Sequence, residues 1–90
     1  MPAARYTKDP AAVLDYVVNW STWLDGDTIS SATVTASTGL TLDSSSNTTT
    51  TVTGWLSGGT AGTSYTVTFQ IITAAGRTDE RSIAIFVTDR

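Results

Sequence analysis

The sequence predicts an all-β fold, and three observations lead to this prediction. Apolar and polar residues alternate over several short stretches, which indicates strands with one buried face. Thr and Ser fill most of the polar positions, and β-branched Thr suits the solvent-facing side of a sheet. Turn-forming residues recur about every 8 to 12 residues, a spacing typical of sandwiches built from short strands. We therefore expect a β-sandwich.

The first predicted strand starts at Leu14. Its inward face carries Leu14, Tyr16, Val18 and Trp20 at every second position. The next stretch, STWLDGD, breaks this alternation. We therefore expect a single helical turn containing Trp23 and Leu24, followed by a turn at the Asp-Gly-Asp sequence.

The middle of the chain predicts two further strands. In TISSATVTAS the alternation resumes, and either of two sets of residues can face the core. The favoured inward set is Ala32, Val34 and Ala36, and the other is Ile29, Ser31 and Thr33. Leu40 and Leu42 then indicate a short edge strand, which we expect to end in a polar Ser/Asn loop.

Three strands are predicted in the C-terminal half. The inward positions of the first are Thr50, Val52, Gly54 and Leu56, which leaves Trp55 on its other face. The second buries Tyr65, Val67, Phe69 and Ile71, and the third buries Ile83, Ile85 and Val87. The Ala74-Ala75-Gly76 sequence between these two predicts an antiparallel hairpin. About six to seven short antiparallel strands with this spacing are the pattern of an immunoglobulin-like β-sandwich.

A Gly-rich stretch, LSGGTAGTSY, lies between the first two of these C-terminal strands. Gly58, Gly59 and Gly62 can adopt the positive φ angles that a tight crossing between sheets needs. Tyr65 starts the next strand, where a Tyr often hydrogen-bonds back to the upstream backbone in such sandwiches. A phosphate-binding loop would require a helix after the glycines, and here a strand follows. We therefore predict a structural corner.

The chain of 90 residues is long enough for one hydrophobic core. We predict a single immunoglobulin-like domain over residues 13–90 and an N-terminal arm or edge strand over residues 1–12. Arg5, Tyr6 and Lys8 make this first segment too polar for a core and too aromatic for an inert tail. It either orders against an adjacent subunit, with Tyr6 as an anchor and Arg5 as a paired charge, or forms an edge strand or a frayed terminus.

The composition disfavours several classes of function. The chain has no His and no Cys, the residues most often used as general base, metal ligand and thiol nucleophile, so we expect no enzyme, no catalytic residues and no cofactor. Asp25-Gly26-Asp27 lacks the spacing of a calcium loop and is interpreted as a turn, so we expect no metal. Five scattered basic residues and a net charge of -3 argue against nucleic acid as a partner. Without a signal peptide or a membrane-spanning run, we expect no membrane partner and a soluble protein made in a cytoplasm.

The aromatic residues raise the question of an interaction surface. Trp20 falls on the core side of its strand, whereas Trp23 and Trp55 lie off the inward positions and are either interfacial or packed at the periphery. The candidate interface residues are Arg5, Tyr6, Trp23, Leu24 and Trp55. An immunoglobulin-like carbohydrate-binding or adhesion module is the alternative, and it should expose aromatic residues in a row on one face.

Two long stretches resemble the small fibre-tail adaptor proteins of tailed bacteriophages, from about Lys8 to Val87. The most specific pieces are Lys8-Asp9-Pro10, Leu14-Asp15-Tyr16, Trp20 with Trp23-Leu24, the corner from Leu56 to Thr63, Tyr65, and Gly76-Arg77-Thr78-Asp79. The middle strand has Val34 where the resemblance leads us to expect Trp. The resemblance implies a non-enzymatic virion protein that links the tail or connector to fibres or to the adjoining ring. Its partners would be other virion proteins, with several copies in a ring on the phage tail, after assembly in the host cytoplasm.

Overall fold

The computed structural model describes residues 2–89, with the backbone alone for residues 2–4. It contains strands and one helical turn. These are β1 (Pro2–Lys8), β2 (Leu14–Asn19), α1 (Ser21–Leu24), β3 (Ile29–Ala36), β4 (Leu40–Asn47), β5 (Thr51–Gly58), β6 (Thr63–Thr73) and β7 (Thr78–Val87). The all-β prediction and the single helical turn at Trp23 and Leu24 are confirmed.

The strands form two sheets that pack face to face. One sheet has the order β1-β7-β6-β3 and the other has the order β2-β5-β4. The side chains buried between them include Trp20, Leu24, Val52, Leu56, Val67, Phe69, Ile71, Ile85 and Val87. The expected β-sandwich is therefore present, while its assignment to the immunoglobulin-like type stays a prediction.

The faces of β5, β6 and β7 follow the alternation in the sequence. In β5, Val52 and Leu56 are buried and Trp55 is 41% exposed on the other face. β6 and β7 pair antiparallel from Thr63 opposite Val87 to Ile72 opposite Thr78, so the predicted hairpin is confirmed.

β3 uses residues from both of the sets that the sequence left open. Val34 is buried, and Ala32 and Ala36 are half-buried against the core, as the favoured set predicts. Ile29 is buried as well, because the register of β3 on β6 shifts between Ile29 and Ser31. Such a bulge adds one residue to a strand and reverses the facing of the residues before it.

β4 and the start of β2 differ from the prediction. β4 continues through the expected Ser/Asn loop to Asn47, because these residues pair with β5 beyond a register shift between Leu42 and Ser44. β4 lies at the edge of its sheet, as expected. Leu14 is 37% exposed instead of buried, although it pairs with the buried Leu56. Leu14 is the first residue of an edge strand, so few neighbouring side chains cover it.

The N-terminal segment forms a strand of the same sandwich. β1 lies at the edge of its sheet beside β7, and the two strands run parallel, with Arg5 opposite Ala84 and Lys8 opposite Val87. Among the pairs of strands in residues 2–89, this one departs from the antiparallel prediction. The structure therefore contains the edge strand, one of the two alternatives that the sequence left open.

Candidate functional site

The crossing from β5 to β6 is built around the ring of Tyr65. Gly59 and Gly39 flank this ring, and both have positive φ angles, of 93° and 101°. A Cβ on Gly59 would lie 2.7 Å from Val87 Cγ2, and one on Gly39 would lie 2.9 Å from Tyr65 Cε1. Neither position therefore has room for a larger residue, and the aromatic ring is held between two stretches of backbone.

The hydroxyl of Tyr65 fixes the same crossing. The backbone N–H of Thr60 donates to Tyr65 Oη over 2.9 Å, five residues upstream. This hydrogen bond favours the phenolate and so lowers the pKa of Tyr65 below its usual value. Gly58 and Gly62 also have positive φ angles, and Gly62 N donates to Val87 O over 2.7 Å. Gly58, Gly59, Gly62 and Tyr65 therefore lie together at the crossing from β5 to β6, and their role as a structural corner stays a prediction.

Lys8 joins β1 to this crossing from inside the molecule. Lys8 is 0% exposed, so its side chain is fully buried. Its Nζ donates to Gly58 O over 2.8 Å and to Asp9 O over 2.9 Å. The polarity of the N-terminal segment argues against a place in the core, so this role of Lys8 was not predicted. A buried ammonium is acceptable here because backbone carbonyls accept its hydrogen bonds.

We expect Lys8→Met to lower the free energy of unfolding by about 1 to 3 kcal/mol, because two carbonyl groups lose their buried donor while the volume is nearly kept. Urea unfolding followed by circular dichroism measures this change. Arg5→Met on the same strand is the matched control and should stay within about 0.5 kcal/mol of wild type, since Arg5 is exposed. Equal stability of Lys8→Met and wild type would contradict the role of Lys8.

At the opposite end of the sandwich, Trp20 is tied to the start of β7. Trp20 Nε1 donates to Asp79 Oδ2 over 2.8 Å, and the guanidinium of Arg81 lies 5.0 Å from the centre of a Trp20 ring. Arg81 also lies 3.7 Å from Asp79 Oδ2 and donates to Asn19 O over 3.1 Å. Trp20 is therefore a core residue, as predicted, with its one polar atom satisfied.

Arg77 holds the helical turn α1 against the β6–β7 hairpin. Its guanidinium lies 4.4 Å from the centre of a Trp23 ring and donates to Leu24 O over 2.8 Å. It also donates to Asp27 Oδ2 over 3.1 Å. The cation thus closes this end of the domain by contacting an aromatic ring, a carbonyl and a carboxylate together.

Asp27 acts as an acceptor for the same hairpin. Hydrogen bonds from the Thr73 side chain, the Thr28 N–H, Arg77 and the Ala75 N–H lower the pKa of Asp27, although partial burial opposes them. The carboxylate therefore stays ionised at neutral pH. Asp25 has a left-handed conformation at the end of α1, with φ 47°, as expected for a turn.

The described part of the chain holds no cluster of metal-binding side chains. Within residues 2–89, no three His, Cys, Asp or Glu side chains come together in a way that could hold a metal ion. In the same range, no helix is both long and apolar enough to cross a bilayer. The polar contacts described above, at both ends of the sandwich, connect loops to strands within the domain.

The candidate interface residues do not form one patch. Leu24 is 1% exposed and lies in the core, so its side chain has no free surface to offer a partner. Trp23 is half-buried and is covered in part by Arg77. These two residues belong to the end of the domain that Arg77 closes. Their burial could not be predicted, because a single helical turn has too few positions to tell its buried side from the sequence.

Arg5 and Tyr6 lie at a groove on the outer side of the four-stranded sheet. The groove has a volume of about 290 Å³ and is lined by Arg5, Tyr6, Ser64, Ala84 and Phe86. Phe86 is 42% exposed. The ring of Tyr6 also lies 4.8 Å from that of Tyr16 in the other sheet, measured between centroids. Tyr6 therefore contributes both to the edge of the sandwich and to the groove.

Trp55 lies on the opposite side of the molecule from this groove. It projects from the outer face of the three-stranded sheet, where Asp15 and Ser44 are its partners on the neighbouring strands. Val17 on the same face is also exposed. The residues with accessible surface thus form two separate surfaces, the groove surface (Arg5, Tyr6, Ser64, Ala84 and Phe86) and the Trp55 surface (Asp15, Val17, Asp43 and Trp55).

Comparison with known proteins gives one family. A family model described as "Podophage GP4 fiber-tail adaptor protein gp77" matches residues 8–86. Among curated proteins, none matches the chain. The matched span runs from the buried Lys8 to Phe86 in the groove surface, and so covers both closed ends of the sandwich.

Proposed function

This chain belongs to the podophage GP4 fiber-tail adaptor protein family, a family of phage structural proteins, and from that premise we propose that it links the tail or connector to fibres or to the adjoining tail ring. It acts without enzymatic activity, through protein–protein contacts with other virion proteins. It is incorporated into the phage tail in several copies after assembly in the host cytoplasm. The observation that carries this proposal is the family match over residues 8–86.

The distribution of polar contacts supports a binding role. The charged groups at the two ends of the sandwich are used internally, as in the pairs Arg77 with Asp27 and Arg81 with Asp79. The outer faces of the sheets instead carry exposed apolar side chains, including Trp55 and Phe86. Exposed aromatic residues in a mostly polar surface are typical of contact sites between proteins.

The carbohydrate-binding alternative receives less support. Stacking on a sugar chain needs aromatic residues in a row on one face. Tyr6 and Phe86 lie at the groove and Trp55 lies on the opposite sheet, so these three exposed aromatic residues do not form a row on one face. A glycan array with the purified protein tests this alternative directly, and we expect no binding above background.

The proposed function predicts a defect in fibre attachment. Phage that lack this gene should give particles without fibres and with a loss of adsorption to the host of at least about tenfold. Electron microscopy and mass spectrometry of purified particles measure fibre occupancy and the presence of the protein. Wild-type protein supplied from a plasmid is the control and should restore both. Particles that keep a full set of fibres without the protein would contradict the proposal.

A further inference from the structure

The groove surface carries a cation that the rest of the domain does not use. Arg77 and Arg81 are paired with carboxylates, and Lys8 donates to backbone carbonyls. Arg5 is exposed, and within residues 2–89 its guanidinium has neither a carboxylate nor a backbone carbonyl as a partner. A guanidinium beside the exposed ring of Phe86 is suited to a carboxylate that lies next to an apolar group.

The Trp55 surface has the matching chemistry. Asp15 is the direct cross-strand neighbour of Trp55, and both are exposed. Asp43 lies at the register shift of β4 on the other side of Trp55, where it accepts a hydrogen bond from Ser57 Oγ over 2.8 Å. The three strands of this sheet contain no Lys and no Arg. This face therefore combines two carboxylates with an exposed indole and no compensating cation.

We propose that the two surfaces bind each other between copies of this chain, so that Asp15 and Trp55 of one copy meet Arg5 and Phe86 of the next. This inference rests on the proposed function and names one of its partners, a second copy. Charge complementarity carries it, since the groove surface carries one cation, Arg5, unpaired in the described part of the chain, and the Trp55 surface carries the carboxylates of Asp15 and Asp43. The two surfaces lie on opposite sheets, so the contact is head-to-tail and extends into a ring or a stack of copies.

The size of the faces sets the expected strength. Three strands of six to eight residues cover at most roughly 26 Å by 14 Å, about 360 Å² per copy. The total of about 700 Å² is below the roughly 1,200 Å² of a stable interface. A single contact is therefore weak, and its detection requires high protein concentration or a covalent trap.

Cysteine trapping gives the first part of the test, because the chain contains no Cys of its own. Arg5→Cys and Asp15→Cys proteins are mixed with a bismaleimide cross-linker, whose spacer replaces the length of the Arg5 side chain that a direct disulfide could not span, and we expect a cross-linked heterodimer on a denaturing gel. Glu80→Cys mixed with Asp15→Cys is the matched control. Glu80 is exposed on the same sheet but does not line the groove, so little cross-linking is expected. Equal cross-linking in both mixtures, or none in either, would overturn the proposal.

Charge reversal gives the second part. In sedimentation velocity at high concentration, Arg5→Glu and Asp15→Arg should each weaken self-association by at least about tenfold, because like charges then face each other. An equimolar mixture of the two variants should restore association, since every contact between unlike copies again joins opposite charges. Reversals without effect, or a mixture that stays monomeric, would overturn the proposal. Fibre attachment by the wild-type protein in that case would leave the proposed function intact and reject only the contact between copies.

Discussion

Tyr65→Ala is expected to lower the free energy of unfolding by about 3 to 5 kcal/mol, as for other truncations of buried aromatic residues. The substitution removes the ring that lies between Gly39 and Gly59 and also leaves the Thr60 N–H without its acceptor. A small domain has about 5 to 15 kcal/mol in total, so this variant should lose a large part of its stability.

Tyr65→Phe separates the ring from the hydroxyl. It keeps the packing of the ring and removes the hydroxyl, which accepts from the Thr60 N–H, so we expect a loss of about 1 kcal/mol. Thermal and urea unfolding of the two variants measure both contributions. A Tyr65→Ala protein that melts within about 3 °C of wild type, which corresponds to less than about 1 kcal/mol, would refute the role of this residue at the crossing.

Trp20→Ala should have an effect of similar size, about 3 to 5 kcal/mol, for a different reason. Trp20 is buried, and its ring is covered by Arg81 while its Nε1 donates to Asp79. The substitution leaves a large cavity and takes a donor from a half-buried carboxylate. We also expect the contact between β2 and the start of β7 to open before the rest of the domain, which hydrogen exchange of the amides near Asp79 can detect.

Trp55→Ala is the matched control for this prediction, because it removes the same side chain from an exposed position. Trp55 projects from the outer face of its sheet and is 41% exposed. A change of less than about 1 kcal/mol is expected there, as for most surface substitutions. If Trp20→Ala and Trp55→Ala changed stability equally, the different burial of the two residues would be contradicted.

Much of the sandwich could be predicted because each strand has to bury one face. Val67, Phe69 and Ile71 alternate with polar residues, and a period of two leaves only one way to bury them. The burial of Ile29 did not follow from this alternation, because a bulge in β3 changes its phase without a clear mark in the sequence. The extension of β4 to Asn47 was not predicted either, since its Ser residues are exposed and their pairing depends on the length of β5.

The binding surfaces could be predicted less well, since they depend on pairings between distant residues. Trp55 was recognisable as an outward residue from its own strand alone. The groove surface was not, because Arg5 reaches Phe86 and Ser64 only through the parallel pairing of β1 with β7. The role of Lys8 depends on the same pairing, which brings it within 2.8 Å of Gly58 O. A local pattern of charge and polarity carries no information about such a partner fifty residues away.

The parallel pairing of β1 with β7 also determines how the domain responds to tension. A pull on the chain before Pro2 and an opposite pull after Val87 draw these two adjacent strands in opposite directions along their length. The ladder hydrogen bonds from Ala4 to Lys8 are then loaded in shear, all at the same time, instead of being opened one after another as in a peeled hairpin. Lys8 adds a cross-link from the end of β1 to Gly58 in the other sheet. The first and last strands of the fold therefore act together as a mechanical clamp.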